Sequence, residues 1–224
     1  AFIPLMISSA TGAIVSAVVL KESILLHFKE QMTFAYSNTF YYVLLGIVAG
    51  LFSLYHARMF RRIETYTSHL PYGTYKKALV GAAMLAVLIF LFPTLFGEGY
   101  ESIKALANNN GAGILENSLI EKDNQWVVLA FVVLTLLFKS VATGLTLGAG
   151  GNGGNFAPSL FVGSYLGYVL AKFFELIGWK ELPITNFTVV GMAGVLSGLF
   201  HAPLTAIFLI AEITAQVWHF VLGV

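Results

Sequence analysis

Cysteine is absent from the 224 residues, which excludes disulfides and thiolate metal sites and leaves the compartment open. Charge is scarce as well: 12 Lys and Arg and 11 Asp and Glu make up 10% of the chain, against roughly 25% in an ordinary soluble domain. A net charge of +1 offers no basic field for a polyanion, so nucleic acid is not expected as a partner. No positively charged leader and no cleavage site open the chain, so residues 1–20 read as a spanning segment and not as a signal peptide. No linker or soluble-sized insert divides the apolar runs, and residues 1–224 therefore read as a single transmembrane domain with no soluble domain. What the chain has in quantity is apolar surface, with 58% hydrophobic residues and a mean hydropathy of +0.82. This is the composition of an integral membrane protein. Apolar sequence also runs to both ends, from Ala1 and up to Val224, as expected of a piece of a longer protein.

A spanning helix needs about 20 apolar residues. Residues 1–20 supply the first, and Lys21, Glu22, Lys29 and Glu30 mark its exit into water. The second covers 40–59 and is closed by Arg58, Arg61 and Arg62. The third runs over 78–96 with Pro93 near its end, where proline kinks or stops a helix. A polar stretch between residues 97 and 125 has room for a short helix around 102–107. The fourth and fifth spans cover 126–147 and 156–179, and a sixth region, 187–213, is too long for one straight span and is broken at His201-Ala202-Pro203. Arg58, Arg61, Arg62, Lys76 and Lys77 against Glu64 place the loop 58–77 in the cytoplasm by the positive-inside rule. The fold class expected is an all-α membrane protein, a bundle of tilted and broken transmembrane helices, with half the helix count of an inverted-repeat transporter.

Between the fourth and fifth spans the backbone is nearly free of side chains: Gly144, Gly148, Gly150, Gly151, Gly153 and Gly154 precede Phe156-Ala157-Pro158. Non-helical backbone at membrane depth persists only where it is buried in protein or lines a wet cavity. Proline in a first turn is favourable because its missing N–H would have had no partner, so Pro158 and Pro203 both read as helix starts. At the first start, Gly153 and Gly154 allow close backbone approach, and the amides of Gly154, Asn155, Phe156 and Ala157 form the candidate anion-binding site. A helix N-terminus carries about half a positive charge, enough to hold an anion and weak enough to release it. Close helix packing is the competing use of such glycines. At the second start, His201 reads as a cap in a loop joining two half-helices.

Ionisable residues within spans are functional by default. Lys139 either snorkels or lines an aqueous vestibule, and Lys172 with Glu175 reads as a self-compensating i, i+3 pair. Glu212 reads as an interfacial carboxylate. His27, His56, His69, His201 and His219 are scattered without ligand spacing, so no metal and no cofactor is expected. No nucleophile and base meet at a membrane break, which argues against an enzyme.

Gly153-Gly154-Asn155-Phe156-Ala157-Pro158-Ser159-Leu160-Phe161 resembles the G-x-F-x-P signature of the CLC family of chloride channels and proton-coupled chloride transporters. Gly191-Met192-Ala193-Gly194, His201-Ala202-Pro203-Leu204-Thr205-Ala206 and Glu212-Ile213-Thr214 are similar to that family's later A-P-L-T-x-I segment. Order and spacing match the second half of the family's membrane domain. The resemblance implies a chloride ion bound by the amides of Asn155 and Phe156. It also implies a homodimer, packed through residues near 1–20 and 190–212, where Ser8, Ser9, Ala10, Gly12 and Ala13 and Gly191, Ala193, Gly194, Ser197 and Gly198 suit close approach. The family's G-S-G-I-P loop, the gating glutamate of G-R-E-G-P and a late tyrosine of its ion path do not occur in this sequence. The function expected is transport of chloride across the cell (inner) membrane by a multi-pass protein. A secondary transporter for a carboxylated solute and a non-transporting scaffold are the alternatives.

Overall fold

The computed structural model describes residues 2–15, 18–19, 26, 35–115 and 124–214. Lys21, Glu22, Lys29, Glu30, His27 and His219 lie outside them. The described residues form eight α-helices in chain order: α1 (Phe2–Val15), α2 (Thr39–Ser68), α3 (Thr74–Leu91), α4 (Tyr100–Ala107), α5 (Gln125–Gly148), α6 (Phe156–Leu176), α7 (Ile184–Phe200) and α8 (Pro203–Ile213). Among the described residues there is no strand, so the molecule is an all-α membrane protein. Among the described residues, three segments are long and apolar enough to cross a bilayer: Tyr36–Ser68, Thr74–Leu91 and Gln125–Gly148.

Each helix ends for a local reason. Helix α3 stops at Leu91 because Pro93 cannot continue the ladder and opens a single 3-10 turn, Pro93–Leu95. Helix α5 starts at an Asn124 cap whose side-chain oxygen accepts from the Trp126 amide at 3.0 Å. Helix α7 ends at His201 in the left-handed conformation, φ 54°, and Pro203 opens α8 after Ala202. At 17 and 11 residues, α7 and α8 are about 26 and 17 Å long, so neither spans a 30 Å hydrocarbon core alone.

The expected close of the second span at residue 59 is not where it ends. Helix α2 runs on through Arg58, Arg61 and Arg62 to Ser68, because arginine and glutamate are good helix formers and no proline follows until Pro71. Lys76 and Lys77 fall in the first turn of α3, which leaves residues 69–73 as the connecting loop.

Glycine sets the packing. A Cβ at Gly163 of α6 would lie 2.5 Å from the Gly191 carbonyl oxygen of α7, and one at Gly191 would lie 2.3 Å from that of Gly163. Gly194 meets Ala49 and Gly198 meets Ser53, both on α2. This corrects the expectation for the 190–212 region: Gly191, Gly194 and Gly198 are occupied within the chain, because the α6 backbone closes on the first and α2 side chains close on the other two. The faces left outward are apolar, with Leu204, Ile207 and Phe208 of α8 and Ile3, Met6 and Ile7 of α1 exposed. Ser8, Ser9, Ala10 and Gly12 of α1 are exposed, while the side chain of Ala13 lies outside the described set.

Candidate functional site

The glycine-rich break divides into two kinds of glycine. Gly144 and Gly148 belong to α5, and a Cβ on them would lie 2.9 Å from the Phe60 carbonyl oxygen and 2.7 Å from that of Glu64 on α2. They serve packing. Beyond α5 the Gly150 amide bonds to the Leu147 carbonyl at 3.1 Å and that of Gly151 to Thr146 at 2.8 Å, closing the helix around a left-handed Gly150 with φ 96°. Gly153 and Gly154 are exposed, and nothing lies within 4 Å of a Cβ built on Gly154.

Contacts along α2 show where α6 begins. Gly148 lies against Glu64 and Thr67, whereas Asn155 reaches His56. Between them the chain retreats eight helical residues along α2, about 12 Å at 1.5 Å per residue. The N-terminus of α6 therefore sits beside the interior of α2, about 26 Å from the start of that helix. A helix restart at Phe156 is what the glycine-rich break and Pro158 predict.

Asn155 occupies the N-cap position with φ −95° and ψ 3°, yet its side chain makes no capping bond. The cause is His56, whose Nε2 is 2.7 Å from Asn155 Oδ1. On the other side of the ring, Nδ1 is 2.7 Å from Ser140 Oγ of α5. Oδ1 can only accept, so Nε2 carries the proton, Nδ1 is the acceptor and the Ser140 hydroxyl donates to it. Both His56 and Ser140 are fully buried. After Gly151 the next backbone amide to find a carbonyl is that of Ser159, which donates to Asn155 O at 3.2 Å. Among the described residues, the amides of Gly154, Asn155, Phe156 and Ala157 donate to nothing. Four of the residues singled out in the sequence thus come together as a run of open N–H groups at a helix start. His56 was not among them, although an intramembrane histidine within an apolar span was the signal that could have found it.

Lys139 corrects both readings made of it. Its Nζ neither snorkels nor faces a vestibule: it is buried, donates to the carbonyls of Gly97 at 2.9 Å and Leu95 at 3.3 Å, and lies 4.5 Å from the centroid of the Phe161 ring. It ties α5 to the turn that Pro93 creates. Lys172 and Glu175 form the expected pair, with Nζ and Oε1 2.6 Å apart. His201 is exposed, as is Glu212 near the end of α8.

The chain has counterparts among known proteins. The family model described as voltage gated chloride channel matches residues 1–223. An uncharacterised protein of Methanocaldococcus jannaschii is 28% identical over 211 residues, covering 94% of this chain and 48% of its own length. A ClcB-like chloride channel protein of Ralstonia nicotianae is 27% identical over 175 residues, or 77% of this chain and 37% of the relative. In structure, a CLC-type fluoride/proton antiporter superposes with a TM-score of 0.64 at 21% identity, over 92% of this chain and 46% of that one. The chain therefore spans less than half the length of the curated relatives it matches. With the glycine break, the proline-primed restarts and this match over nearly every residue, the chain belongs to the voltage-gated chloride channel family.

Proposed function

We propose that this multi-pass membrane protein transports a small anion across the cell (inner) membrane, with chloride the leading ion, and that the amides of Gly154, Asn155, Phe156 and Ala157 bind it. The observation that carries the reading is the α6 N-terminus, a run of unpartnered amides set back along α2 and left uncapped. Such an end attracts anions through partial charge and directed N–H groups, without a formal cation to trap them. Membership of the voltage-gated chloride channel family supports anion transport and gives no reason to look for an enzyme or a cofactor. Residues 1–224 act as one membrane domain, and two copies pair through the outward faces of α1 and α8. A related fold that carries fluoride against protons makes the choice of halide a question for the same site.

The test is a bromide soak of the intact protein. Anomalous density within hydrogen-bond distance of the Asn155 and Phe156 nitrogens is expected, displaced by chloride and by fluoride in competition. Density at surface lysines alone would remove the reading. Displacement by organic carboxylates and not by halides would transfer it to a carboxylated solute.

A further inference from the structure

Asparagine is among the best N-cap residues because its side-chain oxygen accepts from the amide of the second or third helical residue. At α6 the third helical residue is Pro158, which has no N–H, so a capping Asn155 would take the amide of Ala157. It does not, because the oxygen is already held by His56. The histidine, on α2, is itself held, with Ser140 of α5 hydrogen-bonded to its other nitrogen, and it is fully buried. Two consequences follow from one contact. The Ala157 amide stays open, and the carboxamide nitrogen Nδ2, which points away from His56 across the planar group, donates to no described residue. Asn155 is half-buried between the exposed Gly154 and Phe156, at the same helix start as the open amides.

We infer that His56 is a positioning residue for the anion site: by holding Asn155 Oδ1 it prevents the helix from capping itself and turns Nδ2 outward as an additional donor to the anion. This rests on the reading of the α6 amides as the site. A small anion then meets only N–H groups. Were the carboxamide released, its oxygen would compete for the Ala157 amide and present a lone pair where the anion sits.

Bromide affinity of the intact protein, measured by calorimetry, tests the assignment through a double-mutant cycle. His56→Leu keeps the volume but frees Oδ1, and binding is expected to weaken about tenfold, the worth of one lost hydrogen bond to a charged ligand. His56→Gln, whose carboxamide can still donate to Oδ1, is expected to return to within about twofold of the parent. In an Asn155→Ala background there is no oxygen to release, so adding His56→Leu is expected to change affinity by less than about twofold. A purely structural His56 would not show that rescue and that loss of effect together. Unchanged binding in His56→Leu, with bromide still seen at the α6 amides of the parent protein, overturns the inference and leaves the anion site standing. A loss that persists undiminished in the Asn155→Ala background overturns it equally. Absence of bromide from the α6 amides of the parent removes the site itself and this inference with it.

Discussion

Gly167 of α6 and Phe187 of α7 approach so closely that a Cβ on the glycine would lie 2.0 Å from the phenylalanine carbonyl oxygen. Together with Gly163 four residues earlier, this is a small-xxx-small seam in which two helices meet backbone to backbone. Gly167→Ala must push α7 away, at a cost of about 1–3 kcal/mol or more. Gly154→Ala meets nothing and should change stability by less than about 0.5 kcal/mol. Thermal unfolding in detergent separates the two, and equal midpoints would contradict the packing described.

Buried Lys139 should protect the turn that follows α3. Lys139→Met keeps the apolar stem and removes the donors to Leu95 and Gly97. Hydrogen exchange in residues 93–99 is expected to accelerate by about tenfold, one hydrogen bond's worth, while α6 and α7 hold their protection. Uniform exchange across the chain would show that the lysine does not anchor this turn.

Lys172 is nearly buried and Glu175 is about one-third exposed, which makes their bond unequal to disrupt. Glu175→Gln leaves a buried ammonium with a weaker partner, so it should destabilise more than Lys172→Met does. The coupling in a double-mutant cycle is expected at about 0.5–1 kcal/mol, reduced by solvent on the glutamate side. A coupling indistinguishable from zero would make the pair a bystander.

Pairing of two copies through α1 and α8 predicts that bulk added to the outward α8 face lowers the dimer fraction. Leu204→Trp and Phe208→Trp together change residues with 70% and 61% of their surface exposed, so the fold of one copy should be undisturbed. Single-molecule subunit counting in vesicles is the measurement. Dimers that persist in full, with normal folding, would place the interface elsewhere.

Much of this protein could be read without coordinates. Apolar runs bounded by polar residues located α3, α5 and α6, and the prolines at 93, 158 and 203 marked a stop and two restarts, because a missing N–H and a fixed φ act locally. Residues 154–157 were recognisable as an uncapped helix start for the same reason. The end of α2 was not, since an amphipathic continuation through Arg61 and Arg62 has no local breaker until Pro71.

Tertiary structure alone decided which glycines pack and which stay open, because Gly148 and Gly154 look alike until α2 is laid beside one of them. It also decided the place of Lys139, whose carbonyl partners lie more than forty positions away in the chain. The bond from His56 to Asn155 joins residues 99 apart, a separation across which neither periodicity nor spacing carries information. Helix starts and stops arise from short-range sterics and were written in neighbouring residues; partners that meet only when helices pack have no such local trace.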